Sequence, residues 1–420
     1  MEEQTPKPIP FSNYTVVVPF EGEYAIYNKI NGAIVLLEQT NVIEDKMGHW
    51  LCIATDQDII TYLNDNQFFV SDEYVQNIIR SENQLVEDYN DVTLVISTTE
   101  LCNCKCSYCY QRSWPHTIAL SETEYMNWIL EYIDRIVKKA DTEGKLTIRY
   151  FGGEPLLKAD FILSLNREIE RIIQSYRKNI TIHYEMDSNC TLLTRSILEQ
   201  FDNLSIATTL TLPSDHDALR SGTFQQIIAR LTELSDMFVL PQYRLNIGYN
   251  AHHANIADFR EFLELIKYHR IPCEIYVANV VNYEGTDFVN SLSEDEFETI
   301  YCNQIIPSLM EFGYQVNILP PSGLHRKCRG INIVNRKFFS NGTQALCSYF
   351  TKKENRDLAD FPMAIAPHAY LDLLPEKCIT CYDYPHCGGE RPCINCDDGH
   401  RQSKTLKDRI RLFLDMQASK

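Results

Sequence analysis

From Asp91 onward the chain repeats one pattern: a short run rich in β-branched and aromatic residues, then a longer stretch with apolar residues at three- and four-residue spacings. Strand patterns alternating with helical ones mark a parallel sheet of βα units and an α/β fold, and no other feature narrows the fold as far. The sequence predicts strands over 92–98, 146–151, 180–185, 205–212, 243–249 and 274–281, with helices near 121–139, 159–177, 191–202, 223–237, 256–268 and 293–313. The first helical stretch carries Tyr125, Ile129, Leu130, Tyr132, Ile133 and Ile136, an amphipathic stripe that reads as packing. In parallel barrels the reactive residues sit at the C-terminal ends of strands, so chemistry is expected just after each one.

Two of those segments are distinctive. Residues 98–111 read TTELCNCKCSYCYQ and place Cys102, Cys106 and Cys109 as C-x3-C-x2-C, with Tyr108 just before the last cysteine. Three thiolates on one tight loop suit a four-iron cubane that keeps one iron open for a substrate or cofactor. Cys104 is not needed for that set, although the four cysteines Cys102, Cys104, Cys106 and Cys109 would also suit a compact zinc site. After the second strand comes Tyr150-Phe151-Gly152-Gly153-Glu154-Pro155, whose glycines let the backbone approach a ligand. The two motifs, each after a strand and in this order, resemble those of the radical S-adenosylmethionine (radical SAM) enzymes. The resemblance implies a partial, TIM-like (β/α)6 barrel over 91–318 and a [4Fe–4S] cluster on Cys102, Cys106 and Cys109. It also implies S-adenosyl-L-methionine on the open iron, Tyr108 against its adenine, and the turn of Gly152, Gly153 and Glu154 at its amino group.

The later strand ends extend the resemblance. Asp187-Ser188-Asn189-Cys190-Thr191-Leu192-Leu193 looks like the family's T-N-G-T-L-L segment near the cofactor ribose, which implicates Ser188 and Asn189. Cys190 stands where glycine is usual, and a Ser-Asn pair ahead of a helix otherwise reads as a cap. His216-Asp217-Ala218-Leu219-Arg220 followed by Gly222-Thr223-Phe224 resembles the H-D-x-x-R…G-T-F segment of the radical SAM/SPASM branch. There Arg220, with Thr209 in the serine position, would meet the cofactor carboxylate, for which a guanidinium fork is a fitting donor. Thr211 takes the family's aspartate position in a loop one residue shorter, so that aspartate's role is not carried over. Arg244, Asn246, Asn250 and Asn282 follow without a motif and are where substrate specificity is expected.

Past residue 320 the periodicity fades and cysteines cluster: Cys328-x13-Gly342-x4-Cys347, then Cys378-x2-Cys381-x5-Cys387-x5-Cys393-x2-Cys396. This order resembles the SPASM extension, assigned here to 319–420, with a wider gap before Cys393 and a short one before Cys396. By resemblance Cys328, Cys347 and Cys393 would hold one auxiliary [4Fe–4S] cluster, completed by Cys302 or His325 or left with an open iron. Cys378, Cys381, Cys387 and Cys396 would hold a second. The pairs Cys378/Cys381 and Cys393/Cys396 also form a recurring structural zinc pattern. Cys52, Cys273 and Cys302 sit among apolar neighbours and read as small buried hydrophobes. A tail helix is expected over 404–416.

Residues 1–90 read as a separate small α+β unit, with strands near 15–20, 24–27, 33–37 and 68–70 and helices near 57–65 and from 73. In size, position and pattern it resembles the winged-helix leader-recognition domains of peptide maturases, which add a leader peptide as a strand to a sheet edge. A net charge of −18 disfavours a nucleic-acid partner, which relies on a basic surface. No apolar run approaches a membrane span, the start lacks signal-peptide character, and fifteen cysteines without an export signal point to metal or redox ligation in a reducing cytoplasm. The combined expectation is a radical SAM enzyme that modifies a ribosomally made precursor peptide bearing a leader. Its reaction would be an intramolecular thioether or carbon–carbon cross-link, drawing electrons from a flavodoxin- or ferredoxin-type reductant. Formylglycine formation of the anaerobic sulfatase-maturase kind, peptide epimerisation, or a non-enzymatic zinc-bound interaction protein are the alternatives.

Overall fold

The computed structural model of the chain describes residues 7–84, 86–109, 111, 119–280, 288, 290–320, 332–345, 376–387 and 396–418. The first unit holds two small antiparallel sheets. One joins β1 (Ile9–Pro10), β5 (Val42–Glu44) and β6 (Trp50–Cys52); the other is the meander β2 (Thr15–Phe20), β3 (Glu23–Asn28) and β4 (Ile34–Glu38). Two helices follow, α1 (Gln57–Asp65) capped by Asp56 and α2 (Asp72–Glu82) capped by Ser71, as the cap preference of Asp and Ser requires. The strand expected over 68–70 does not form. Gln67 reverses the chain at φ +61° and Ser71 caps a helix just beyond, so no length remains for one. Phe68 and Phe69 pack against Phe11 instead, at 6.5 and 5.6 Å between ring centres.

The six-fold alternation gives β7 (Asp91–Thr99), β8 (Glu143–Gly152), β9 (Asn179–Asp187), β10 (Leu204–Thr209), β11 (Tyr243–Ala251) and β12 (Glu274–Asn279), each paired in parallel with the next. Parallel neighbours in chain order make an open partial barrel. The helices α3 (Glu122–Lys139), α4 (Ala159–Tyr176), α5 (Arg195–Leu198), α6 (Pro213–Leu219), α7 (Phe224–Glu233) and α8 (Phe259–Tyr268) fill the crossovers. A capping box between Ser121 and Glu124 starts α3, whose Ile129 and Ile133 join Leu94, Ile96, Leu146 and Ile148 in one apolar layer. Each such fully buried side chain is worth about 1.5–3 kcal/mol, so this layer dominates the barrel's stability. Strand residues alternate faces, and the face away from the helices is polar: Arg149 grips Asp187 through two hydrogen bonds of 2.6 and 2.8 Å.

Three expected helices end differently. The stretch 191–202 holds only α5, because Cys190 turns the chain in the left-handed region and Thr194 caps late. The helix near 223–237 stops with α7 at Glu233. The helix near 293–313 divides into α9 (Glu294–Ile300), a π turn over Tyr301–Ile305 and α10 (Ile306–Glu311). Pro307 has no N–H to donate back along the helix, and the widened turn just before it absorbs the break.

The barrel sheet also runs past the expected boundary at 318. β13 (Arg336–Phe339) pairs in parallel with β7, and β14 (Gln344–Ala345) closes a hairpin on it, making eight strands. Beyond lie α11 (Glu376–Ile379), α12 (Tyr384–Cys387) and α13 (Cys396–Ala418), the last longer than the 404–416 expected. α13 lays Leu406, Ile410 and Leu414 on Val18, Ala25 and Tyr27 of the N-terminal meander, so the first and last segments of the chain share a core. None of the described helices is long and apolar enough to cross a membrane.

Candidate active site

The segments after β7, β8, β9 and β10 meet at one end of the barrel. The cysteine loop follows β7 and is held from two sides. Against it lies the turn after β8, where Gly153 and Glu154 donate their N–H groups to Thr99 O and Leu101 O, both at 2.8 Å. A Cβ on Gly152, which stands at φ +132°, would come to 2.2 Å from Thr99 O, and one on Gly153 to 2.1 Å from Leu101 O. Only glycines let these two backbones touch. On the other side, Ser107 N–H donates to Leu219 O at 3.0 Å and Lys105 N–H to Ser221 Oγ at 2.9 Å, which ties the loop to the end of α6.

Glu154 links the second and third turns. Its side chain is fully buried and accepts from Ser188 Oγ at 2.8 Å, Asn189 N–H at 2.7 Å and Leu156 N–H at 3.0 Å. Burial pushes its carboxyl up, and those donors partly offset the rise. Asn189 in turn reaches the cysteine loop: its Nδ2 donates to Asn103 Oδ1 at 2.7 Å and lies 3.8 Å from Cys102 Sγ. Cys190 takes φ +61°, the conformation that explains why glycine suits its position, with its side chain wholly buried. Burial raises its thiol to about 12, so it stays protonated.

Around the cysteines the electrostatics differ from thiol to thiol. The Cys104 thiol hydrogen-bonds Cys102, and its N–H points at the same sulfur at 3.4 Å; with Asn189 and Arg220 nearby, Cys102 is held well below the usual thiol range despite burial. Burial raises Cys106, with Arg220 working against it. Among the described residues no three His, Cys, Asp or Glu side chains converge in a metal-holding group. Arg220 is buried beside the loop and donates Nη1–H to Thr209 O at 2.7 Å, while its Nε–H has no partner. A buried guanidinium donor without an acceptor costs on the order of 1–3 kcal/mol, which an anion at this point would recover. Tyr108 lies edge-on to Phe288 at 6.0 Å and hydrogen-bonds Asn250; burial pushes its phenol up.

One network escaped the sequence reading. Asp215, at the start of α6, accepts from His252 Nε2 and Asn255 Nδ2, each at 2.9 Å, and His252 Nδ1 accepts Ala254 N–H at 3.3 Å. The pattern fixes the imidazole tautomer and bolts α6, with Arg220 at its end, to the loop after β11. No motif marks it; the only hint in the sequence is the run of polar residues after the fifth strand, Asn250, His252, His253 and Asn255.

The other expected residues scatter. Arg244 stands exposed near the start of β11, and Asn246 donates to Ser205 Oγ at 3.1 Å. Cys378 and Cys381 lie together, with Cys381 N–H donating to Cys378 O at 3.2 Å, and Cys302 is buried on the π turn. Cys387 and Cys396 fall on the backbones of α12 and α13. Cys328, Cys347, Cys393, Asn282 and His325 lie outside the described residues.

Residues 96–266 match the radical SAM superfamily. The GTP 3′,8-cyclase of Aliarcobacter butzleri (strain RM4018) is 23% identical over 285 residues, which cover 61% of this chain and 80% of that protein. Among solved structures, native anSMEcpe with bound AdoMet and Cp18Cys peptide aligns with a TM-score of 0.58 at 16% identity, over 78% of this chain and 99% of that one. SuiB of Streptococcus suis bound to S-adenosylmethionine aligns with a TM-score of 0.52 at 14% identity, over 91% of this chain and 95% of that one. At such identities these likenesses establish the fold.

Proposed function

Because residues 96–266 form a radical SAM domain, we propose that this enzyme modifies a ribosomally made precursor peptide by installing an intramolecular thioether or carbon–carbon cross-link. The observation that carries the cofactor assignment is Arg220, buried beside the cysteine loop with an Nε–H that lacks an acceptor. The residue types suit the group even though the three thiols do not converge here: Cys102, Cys106 and Cys109 share one loop, the first pulled toward thiolate, beside a guanidinium suited to a carboxylate. When bound, a [4Fe–4S] cluster with S-adenosylmethionine supplies an electron and a sulfonium whose scission yields a radical able to take hydrogen from an unactivated carbon. Cys102, Cys106 and Cys109 would hold the cluster, and the backbone at Gly152–Gly153 the cofactor's amino group. Glu154 would keep Ser188 and Asn189 aimed at the ribose, and Tyr108, with Phe288 behind it, would cover the adenine and exclude water.

Two likenesses support the peptide assignment: anSMEcpe was solved with a peptide, and the likeness to SuiB covers 91% of this chain. Among the described residues β4 pairs only with β3, leaving an edge to which a leader could add as a strand. Cys378, Cys381, Cys387 and Cys396, and separately Cys328, Cys347 and Cys393, would carry auxiliary clusters. Those clusters would take up the electron released when the cross-link forms.

The test is iron and sulfide per chain after anaerobic purification, together with 5′-deoxyadenosine release under dithionite and mass analysis of candidate precursor peptides. About twelve irons, the sum of three cubanes, with a peptide lighter by two hydrogens, is the expected result. About four irons with cofactor cleavage would remove the auxiliary clusters. A peptide of unchanged mass in ordinary water but one unit heavier in deuterated water would replace cross-linking by epimerisation, and zinc without cleavage would overturn the whole assignment.

A further inference from the structure

The Cys378–Cys387 segment is docked on the N-terminal unit. Lys29 Nζ pairs with Asp383 Oδ1 at 2.7 Å and donates to Tyr382 O at 3.2 Å, and Arg80 pairs with Glu376 at 3.1 Å. Asp72 accepts from Asn13 Nδ2 at 2.9 Å and from the Tyr382 hydroxyl at 3.0 Å. Beneath these contacts Tyr14, Ile30, Val75 and Ile79 form one apolar core with Cys378, Ile379 and Tyr384, and Cys381 packs on it.

Tyr14 does not belong in a purely apolar core. It is wholly buried, its ring meets Tyr382 edge-on at 5.4 Å, and its hydroxyl has no hydrogen-bond partner. A buried Tyr hydroxyl normally finds an acceptor, and leaving one unmade costs about 1–3 kcal/mol. Asp72 already accepts from Asn13 and Tyr382. Cys381, which packs on the same core as Tyr14, offers a second kind of acceptor, a sulfur that faces the Asp383 N–H at 3.4 Å.

We infer that Tyr14 donates its phenolic O–H to the sulfur shell of an auxiliary iron–sulfur cluster held by Cys378 and Cys381, so that the N-terminal unit supplies part of that cluster's surroundings. This rests on the auxiliary-cluster reading above. Cys378 and Cys381 would supply two of the four thiolates such a cluster takes: they lie on one C-x2-C turn, one thiol buried and the other sulfur facing a backbone N–H. Hydrogen bonds to cluster sulfur favour the reduced form and raise its potential. Tyr14 is thus a positioning and tuning residue that does not touch substrate.

The experiment is a potentiometric EPR titration of the full chain carrying Cys102→Ala, Cys106→Ala and Cys109→Ala, which isolates the auxiliary centres, with and without Tyr14→Phe. The expected result is unchanged iron content, one auxiliary centre shifted to more negative potential, and loss of an exchangeable-proton coupling on that centre. Melting of the metal-free chains gives a second reading. Tyr14→Phe removes an unpaired hydroxyl there and leaves stability equal or higher, while the iron-loaded variant gains less from its cluster than the parent does. A centre with unchanged potential and coupling overturns the inference and spares the cluster reading. A parent chain without iron overturns both.

Discussion

The barrel end and the seam between the N-terminal unit and the Cys378–Cys387 segment are both cysteine-bearing, and they are built in opposite ways. At the barrel end, neighbouring strands deliver neighbouring turns, and most of the contacts that shape the site run through backbone: Gly153 to Thr99, Glu154 to Leu101, Ser107 to Leu219. At the seam, side chains some 300 to 350 positions apart must meet, through Lys29 with Asp383, Arg80 with Glu376 and Asn83 with Tyr384. A backbone-built site tolerates side-chain change but not an added atom at a contact. A side-chain-built seam tolerates added bulk at its margins but fails when one charge is removed.

The barrel end should therefore break hardest at its glycines. Gly153→Ala places a methyl 2.1 Å from Leu101 O, so either the cysteine loop or the Glu154 turn must move. Displacement of about 1 Å in a reacting geometry can cost a hundredfold, and 5′-deoxyadenosine release should fall by at least about that factor. Gly22→Ala, where no atom lies within 4 Å of the added methyl, bears only its left-handed strain of about 1–2 kcal/mol and should leave release unchanged. Equal losses in the two variants would show that the contact at Leu101 is not what Gly153 protects.

Next in size is the buried pair that anchors α13. Arg409 Nη2 meets Glu298 at 2.6 Å with both side chains largely buried, and it fixes the helix that covers the N-terminal meander. Arg409→Met leaves Glu298 buried and unpaired and should destabilise the chain by about 3–5 kcal/mol, read by urea unfolding. The double variant Arg409→Met with Glu298→Leu should recover most of that loss. No recovery would mean that the guanidinium's packing over Tyr301, at 5.3 Å, matters more than the charge pair.

The two regions also differ in how far the sequence disclosed them. The strand order, the cysteine loop and the glycine turn were legible because each lies within a single βα unit, where local pattern and spacing carry the information. Glu154 was legible as a site residue, but its bonds to Ser188 and Asn189 depend on strand register and were not. The same holds for Asp215 with His252, joined across two strand ends. The seam was hidden altogether. No local pattern says that Leu406 and Ile410 pack on Val18 and Tyr27, or that β13 adds to β7, because those contacts are decided by which apolar face remains uncovered once the barrel has formed.

A smaller effect is expected when one seam ion pair is loosened. Lys29→Met removes the cation from Asp383, and since Lys29 is nearly buried and Asp383 about a quarter exposed the loss should be about 1–2 kcal/mol. Hydrogen exchange should speed up at the amides of Cys381 and Asp383 and stay unchanged at Gly153 and Glu154. Acceleration at both ends would make the seam and the barrel one cooperative unit and remove the contrast drawn between them.

The smallest effect is a pH dependence confined to the barrel end. His216 is fully buried, with Nε2 at 3.2 Å from Thr223 Oγ1 and Nδ1 without a partner. Burial first, and the Arg220 charge second, hold its imidazole down to about 3. The folded chain therefore keeps this ring neutral while the unfolded chain protonates it below its ordinary value of about 6.5. Over that window the unfolded state binds more protons, so the contribution is whole above pH 6.5 and drains away as pH falls toward 3, by at most about 1.4 kcal/mol per unit. His216→Gln has no proton to take up, so the stability gap between parent and variant should narrow by roughly 1–2 kcal/mol between pH 7 and pH 5. Parallel curves over that range would mean that the folded chain accepts the proton. The ring would then not be sealed beside Arg220, and the barrel end would be more open to water than its backbone-built construction requires.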